Sequence, residues 1–291
     1  MSRSDFILIN EQGKENFLKT SIKADEVKSE LWKMSIALIL CGGQGGRFAQ
    51  GYAEDHNLQV RTKLTTAPAT KQSCLKQNVI LPEGFSVLEQ ACIAFLQNKQ
   101  IECLVVVCGT QTEVQNLQII AQNYKKLIFF VENGRERLFS SLNGLSFIAK
   151  HFSQHFTKNN LDEVSVLIHD AARPFVSQNI INNCIAALQN GYLGAVPCTK
   201  VSDTIKKFEN NTLSTPPRNL FYAAQTPQCF NFNFIYTCYQ NYYQQYLQDP
   251  NNEQIATDDS SVAELFSPCS IKITQGESSN KKITTISDIF G

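Results

Sequence analysis

An excess of charge of either sign is missing from this chain. Its 291 residues carry 26 Lys and Arg against 26 Asp and Glu, a formal net charge of +0. No global field gathers a polyanion, so any anion site must be local and nucleic acid is not expected as a partner. Long hydrophobic runs are missing too. No apolar stretch reaches the ~18 residues of a membrane span, and the N-terminus has no basic segment leading into an apolar run. No membrane association is expected. Histidine is scarce, and His56, His151, His155 and His169 make no zinc-ligand spacing. Cys-x-x-Cys pairs are absent among ten cysteines, several of which sit in apolar runs such as Cys103-Leu104-Val105-Val106-Val107-Cys108. That usage fits reduced core thiols and a cytoplasmic protein. Finally, no glycine loop ends in Gly-Lys-Ser/Thr, which excludes a P-loop.

What is present is a core-forming sequence, 43% hydrophobic, organised around Ile36-Ala37-Leu38-Ile39-Leu40 and the loop Cys41-Gly42-Gly43-Gln44-Gly45-Gly46-Arg47 behind it. The apolar run reads as a buried strand. Its glycines are spaced more closely than in the dinucleotide fingerprint, and no acidic residue about 20 positions on ends a second strand. Either this is a flexible turn, or its bare amides face phosphate oxygens with Arg47 as the adjoining cation.

A regular rhythm follows. Helical spacing over Val87–Leu96, Val114–Tyr124 and Leu138–Phe152 alternates with strand-like runs at 103–108, 127–131 and 164–169. Continuous apolar strands alternating with helices predict a mostly parallel sheet covered on both faces, with ligands beyond the strands' carboxyl ends. The tips at Cys41–Arg47, Gly134–Arg137 and His169–Pro174 are therefore the places for chemistry. In the third, Asp170 closes a buried strand and Arg173 follows, a pairing that suits a metal ion and an anion, or else a helix cap with a surface salt bridge. His169 reads as structural.

The stretch Asp203–Phe208 before Asn210-Asn211 predicts a projecting hairpin. An aromatic helix is expected over 230–246, then a solvated Gln/Asn/Tyr patch, and a last strand at 271–273. If that strand lies beside the first, a lysine of the Lys281-Lys282 pair could reach the phosphates. Residues 1–34 read as a frayed extension or surface-docked helix, and 49–70 as a long loop over the phosphate site.

Taken together and in order, Cys41–Arg47, Lys71-Gln72, Gly134 with Arg137 and Ser140–Leu145, His169–Pro174, Asp203–Lys206, Thr226-Pro227-Gln228, Thr257-Asp258-Asp259 and Asn280–Thr284 closely resemble the 2-C-methyl-D-erythritol 4-phosphate cytidylyltransferases. The resemblance covers about residues 35–288. It implies a Rossmann-like α/β domain over 35–291, with a β-arm at about 199–224 that joins a homodimer. It also implies Mg²⁺-dependent attack of a polyol phosphate on the α-phosphate of CTP. Carried over by motif, Arg47, Lys71, Arg218 and Lys282 would be catalytic. Cys41, Gly42, Gly43, Gly45, Gly46, Gly134, Arg135, Ser140 and Ala171 would surround the nucleotide. Asp170, Arg173, Thr204 and the partner arm's Arg218 would hold the acceptor, with Asp170 also the metal ligand.

The chain departs from the family pattern in the long spacer between Arg47 and Lys71, which makes Lys63 a rival for the lysine role. Thr70 stands for a usual proline, Arg135 for a common acidic residue and Cys41 for a frequent alanine. Some relatives continue beyond the equivalent of Gly291 into a cyclodiphosphate synthase domain, so a single-function enzyme and one module of a fusion both stay open. Ribitol 5-phosphate is the rival acceptor, and a non-catalytic nucleotide-binding scaffold the rival class.

Overall fold

Buried strands are the frame of this molecule. The computed structural model describes residues 6–9, 15–18, 34–41, 76–109, 111–152, 163–249, 256–266, 271–285 and 287–290. In chain order its strands are β1 (Phe6–Ile9), β2 (Glu15–Leu18), β3 (Ser35–Leu40), β4 (Ile101–Cys108), β5 (Leu127–Glu132), β6 (Ser165–Asp170), β7 (Gly194–Lys200), β8 (Lys207–Glu209), β9 (Thr212–Ser214), β10 (Tyr222–Ala224), β11 (Gln228–Asn231) and β12 (Ile271–Gln275). Its helices are α1 (Val87–Leu96), α2 (Gln111–Tyr124), α3 (Arg137–Phe152), α4 (Gln178–Gln189), α5 (Phe232–Gln248), α6 (Asp259–Phe266) and the short α7 (Ser287–Phe290).

The ten-stranded sheet runs β10-β7-β11-β6-β3-β4-β5-β1-β2, with β12 on the other edge of β7. Strands β3, β4, β5 and β6 pair in parallel. The chain steps outward from β3 to β4 and β5, then returns through α3 to lay β6 on the opposite side of β3. The order therefore reverses between β3 and β6, and a crevice opens at their carboxyl ends. Alternate residues of β3 feed two cores. Ala37 and Ile39 pack with α1, α2 and α4, while Ile36, Leu38 and Leu40 pack with α3, α5 and α6. Gly144 lets α3 approach closely, because a Cβ there would meet Leu38 Cδ1 at 2.3 Å.

The Rossmann-like, mostly parallel architecture is the expected one, and four local expectations need correction. First, the stretch 228–231 starts no helix. Cys229 and Phe230 are fully buried in β11, antiparallel between β6 and β7, and Asn231 then caps α5 through its side chain. Second, β12 pairs with β7 rather than with β3. Third, the aromatic helix expected to end at 246 runs on to Gln248 and takes in the start of the Gln/Asn/Tyr patch, whose described residues are exposed. Fourth, the N-terminal segment supplies a β1–β2 hairpin whose first strand extends the sheet beside β5. Phe6-Ile7-Leu8-Ile9 is a strand-forming run, and the edge of β5 offers it backbone partners. The helix expected over 19–32 lies outside the described residues.

The hairpin expected in the arm is present as β8–β9, a separate two-stranded sheet. Asn210 and Asn211 turn it at φ 50° and 57°, backbone that asparagine tolerates. The eight described cysteines are buried, and none is in a disulfide.

Candidate active site

Strand β3 ends at the crevice. Leu40 lies opposite Asp170 in register, and the Ala171 amide donates to the Leu40 carbonyl at 3.0 Å. Cys41 donates its own amide to Val107 O at 2.8 Å, so amides free for a ligand must come from residues after it. Gly42, Gly43, Gly45, Gly46 and Arg47, and the rivals Lys63 and Lys71, lie outside the described residues.

Asp170 ends β6 and is the hub. Its Oδ1 accepts from Arg137 Nε at 2.8 Å and its Oδ2 from Lys282 Nζ at 2.7 Å. Burial by itself would raise the carboxyl pKa, but the Arg137 guanidinium and the Lys282 ammonium outweigh it and hold the group far below the usual carboxylate range. Asp170 is thus an anion at every physiological pH. Lys282 arrives although β12 is remote from β3, because the Ile283 amide donates to Ala172 O at 2.7 Å and lays the C-terminal segment along the crevice.

Behind Asp170, Arg137 donates through Nη2 to Asp259 Oδ2 at 2.7 Å. The other oxygen of Asp259 accepts from Ser141 Oγ at 2.9 Å and Tyr239 OH at 2.6 Å. Burial would lower the Arg137 pKa; the two carboxylates overcome it and push that pKa up. Its Nη1 is buried with no partner among the described residues.

His169 is buried between Thr226 Oγ1, 3.0 Å from Nδ1, and the Arg173 carbonyl, 3.0 Å from Nε2. A carbonyl only accepts, so Nε2 carries the proton and Nδ1 accepts from the Thr226 hydroxyl. The Thr226 oxygen in turn accepts the Asp170 amide at 3.1 Å. Burial pulls the His169 pKa down to about 4. The ring is neutral and structural, as its sequence context suggests, and it ties the Asp170 tip to the cis Thr226–Pro227 turn.

Arg173 donates Nη1 to Asn280 O at 2.7 Å and Nη2 to Ala224 O at 3.4 Å. It braces three segments around the crevice. Gly134 donates its amide to Ser140 Oγ at 3.0 Å, and a Cβ on it would meet Phe139 Cβ at 2.6 Å. Only glycine allows that turn to close against the start of α3. Arg135 is exposed, its guanidinium 4.5 Å from the Phe139 ring centre and 4.7 Å from that of Tyr246. Thr204 and Arg218 lie on the exposed arm, where Arg218 Nη1 donates to Ser202 O at 2.5 Å. Neither is hydrogen-bonded or ion-paired to Asp170 among the described residues.

The structure therefore brings together Asp170, Lys282, Ala171 and Arg173, and places Gly134 and Ser140 on the adjoining tip, at the start of α3. Sequence reasoning gave no role to Arg137 or Asp259. A charged pair 122 positions apart leaves no periodic trace. The available signal was Asp259 at the head of a helix with an apolar face, and Arg137 one turn before the Ser140-Ser141 pair.

Among the described residues no group of three His, Cys, Asp or Glu side chains could hold a metal ion unaided. One permanently ionised carboxylate beside cations suits a metal that shares its coordination with substrate phosphates and water, as Mg²⁺ commonly does. No described helix is long and apolar enough to cross a membrane.

The comparisons with known proteins agree with the geometry. The family model described as 2-C-methyl-D-erythritol 4-phosphate cytidylyltransferase matches residues 70–290. A Thermosipho melanesiensis protein of that name is 30% identical over 258 residues, 88% of this chain and 95% of that protein. The Anaerococcus prevotii 4-diphosphocytidyl-2C-methyl-D-erythritol synthase structure aligns with a TM-score of 0.65 at 26% identity, over 89% of this chain and 93% of that one. A bifunctional IspDF from Campylobacter jejuni shares the fold, with a TM-score of 0.58 at 21% identity, and 89% of this chain covers 53% of it. With the matched segment spanning the crevice from the α1 side to the C-terminal lysines, this chain belongs to the 2-C-methyl-D-erythritol 4-phosphate cytidylyltransferase family.

Proposed function

We propose that the chain joins CTP and 2-C-methyl-D-erythritol 4-phosphate to give 4-diphosphocytidyl-2-C-methyl-D-erythritol and pyrophosphate, a step of non-mevalonate isoprenoid biosynthesis. The observation that carries this reading is Asp170 held ionised between Lys282 and Arg137 at the mouth of the sheet. An oxygen of the acceptor's phosphate attacks the α-phosphorus, the bond to the β-phosphate oxygen breaks, and pyrophosphate leaves. The acceptor oxygen is already anionic near neutral pH, so no general base is needed. The protein's task is to bring two anions together and to stabilise the charge that shifts toward the leaving group.

Lys282, with Arg47 and Lys71 or Lys63 from the loop, supplies the cations for that charge. Asp170 would hold Mg²⁺, which supplies charge neutralisation between the phosphates when bound. Amides of Gly42, Gly43, Gly45 and Gly46 would line the triphosphate, with Gly134, Arg135, Ser140 and Ala171 around cytosine and ribose. Since the Arg135 guanidinium stacks on Phe139 and Tyr246, its backbone is the better nucleotide contact. Arg173, Thr204 and Arg218 would hold the acceptor, Arg218 from a second copy whose arm covers the crevice. The exposed apolar residues of that arm support a homodimer. Likeness to a longer bifunctional chain supports a cyclodiphosphate synthase, fused or separate, as a functional partner.

Pyrophosphate release from CTP and Mg²⁺ tests the reading directly. Release with 2-C-methyl-D-erythritol 4-phosphate is expected. Release with ribitol 5-phosphate alone would reassign the acceptor, and release with neither would leave a nucleotide-binding scaffold.

A further inference from the structure

The two oxygens of Asp170 are given to two cations that differ in freedom. Lys282 has a side chain 39% exposed, on a segment without helix or strand, and contributes one ammonium on a flexible stem. Arg137 opens α3, its side chain is 23% exposed, and its guanidinium is gripped from behind by the fully buried Asp259. Asp259 is in turn fixed by Ser141 and Tyr239. A guanidinium is a rigid planar fork, so engaging one carboxylate through Nη2 and another through Nε sets both its position and its plane. A lysine ammonium has no second nitrogen with which to do this.

We propose that Arg137, braced by Asp259, is a positioning residue that keeps Oδ1 of Asp170 permanently occupied. Only Oδ2 then exchanges partners, from Lys282 in the resting site to a divalent cation or substrate group in the loaded one. The identity of what arrives at Oδ2 rests on the cytidylyltransferase reading, whereas the brace is a property of the folded chain alone. The arrangement makes two events one. When a ligand takes Oδ2, the Lys282 ammonium is released from its ion pair and becomes available to the incoming phosphates. If Oδ1 were free as well, the carboxylate could turn and keep Lys282 while binding the ligand, and the two events would separate.

The full chain, Arg137→Lys, Asp259→Asn and the double variant decide the matter, with melting temperature and circular dichroism checking each fold. Mn²⁺ is titrated by electron paramagnetic resonance in the presence of CTP without acceptor, and turnover is followed against Mg²⁺ concentration. Each single variant should weaken Mn²⁺ binding and raise the Mg²⁺ requirement by about 10- to 100-fold, the range seen when groups that orient a metal ligand are removed. The KM for CTP at saturating metal should stay within about twofold, and the double variant should lose no more than Arg137→Lys, since Asp259 acts only through Arg137. Folded variants with wild-type metal dependence, or losses that add in the double variant, would overturn the proposal by reducing the pair to a structural staple. If Arg137→Lys does not fold, Asp259→Asn, which keeps the shape of the brace and leaves Arg137 in place, carries the decision. Wild-type protein that releases no pyrophosphate with any acceptor sinks the functional reading while the Mn²⁺ titration still judges the brace; wild-type protein that binds no Mn²⁺ beside CTP sinks the brace.

Discussion

At the carboxyl end of β6, Asp170 has both oxygens engaged by cations, Arg137 answers two carboxylates, and Arg173 ties its tip to Asn280 and Ala224. In the arm between β7 and β10, apolar and charged side chains alike lie open. Phe208 is 69% exposed, Leu213 63% and Leu220 69%, and the exposed Arg218 guanidinium donates to a carbonyl of its own arm. The cluster's ion pairs form within one chain. The arm has the composition of something that packs, yet its apolar side chains stay exposed among the described residues. Preorganised charge is what the proposed chemistry would need of the first region, and exposed apolar side chains are what recognition by another surface would need of the second.

The largest effect should come from the cluster. Lys282→Ala removes one cation from the cluster, and turnover with CTP should fall by about 10²-fold or more with the melting temperature little changed, as for loss of one transition-state donor. Arg47→Ala should behave alike if its loop closes on the same phosphates. A Lys282→Ala enzyme with near wild-type turnover would move the chemistry out of the cluster and erase the contrast with the arm.

Acid should reach the cluster through His169. Its pKa in the folded chain, about 4, lies below the ~6.5 of an unfolded histidine, so the unfolded state binds more protons between these values. Stability is therefore complete above about pH 6.5 and declines as pH falls toward 4, by about 3 kcal/mol across the window. Urea unfolding at stepped pH reads this directly. His169→Gln, which has no titrating ring, should flatten the slope in that window. An unchanged slope in the variant would mean that other groups govern acid unfolding.

Arg218→Ala should have a smaller and more selective effect. The KM for the polyol phosphate should rise about tenfold, the loss of one charge-assisted contact, with the KM for CTP unchanged. If the CTP requirement rose and the acceptor's did not, the arm would serve the nucleotide instead.

The two regions also differ in how much of them could be read from sequence. The parallel core was legible because Leu104–Val107, Ile128–Val131 and Val166–Ile168 are apolar without alternation, the mark of strands covered on both faces. The arm was legible because Asn210-Asn211 is turn chemistry. The short antiparallel strand β11 was not, since Gln228-Cys229-Phe230-Asn231 has too few residues for a period to appear, and its conformation is set by β6 and β7 on either side. The role of Lys282 is implied by motif resemblance, whereas its place beside Asp170 comes not from a last strand next to β3 but from the Ile283–Ala172 hydrogen bond. The Arg137–Asp259 brace was invisible for a related reason. It is a tertiary pair between two helix starts, and helix patterns report which face is apolar, not which charge lies opposite.

The smallest expected effect is the most discriminating for the arm. Phe208→Ser removes an aromatic ring that the single chain leaves 69% exposed, so the stability of an isolated monomer should move by no more than about 0.5 kcal/mol, as for ordinary surface positions. If the arm is covered by a second copy, the melting temperature of the wild-type protein rises with protein concentration, because association binds the folded state only. Phe208→Ser should weaken that dependence while leaving the dilute limit where it was. Light scattering beside the melts would separate the two cases: a wild-type dimer that the variant dissociates assigns the exposed ring to an interface. Equal masses and parallel curves at every concentration would mean that the arm's apolar residues are covered by neither a partner nor the chain itself, and would remove the reason for drawing Arg218 from a second subunit.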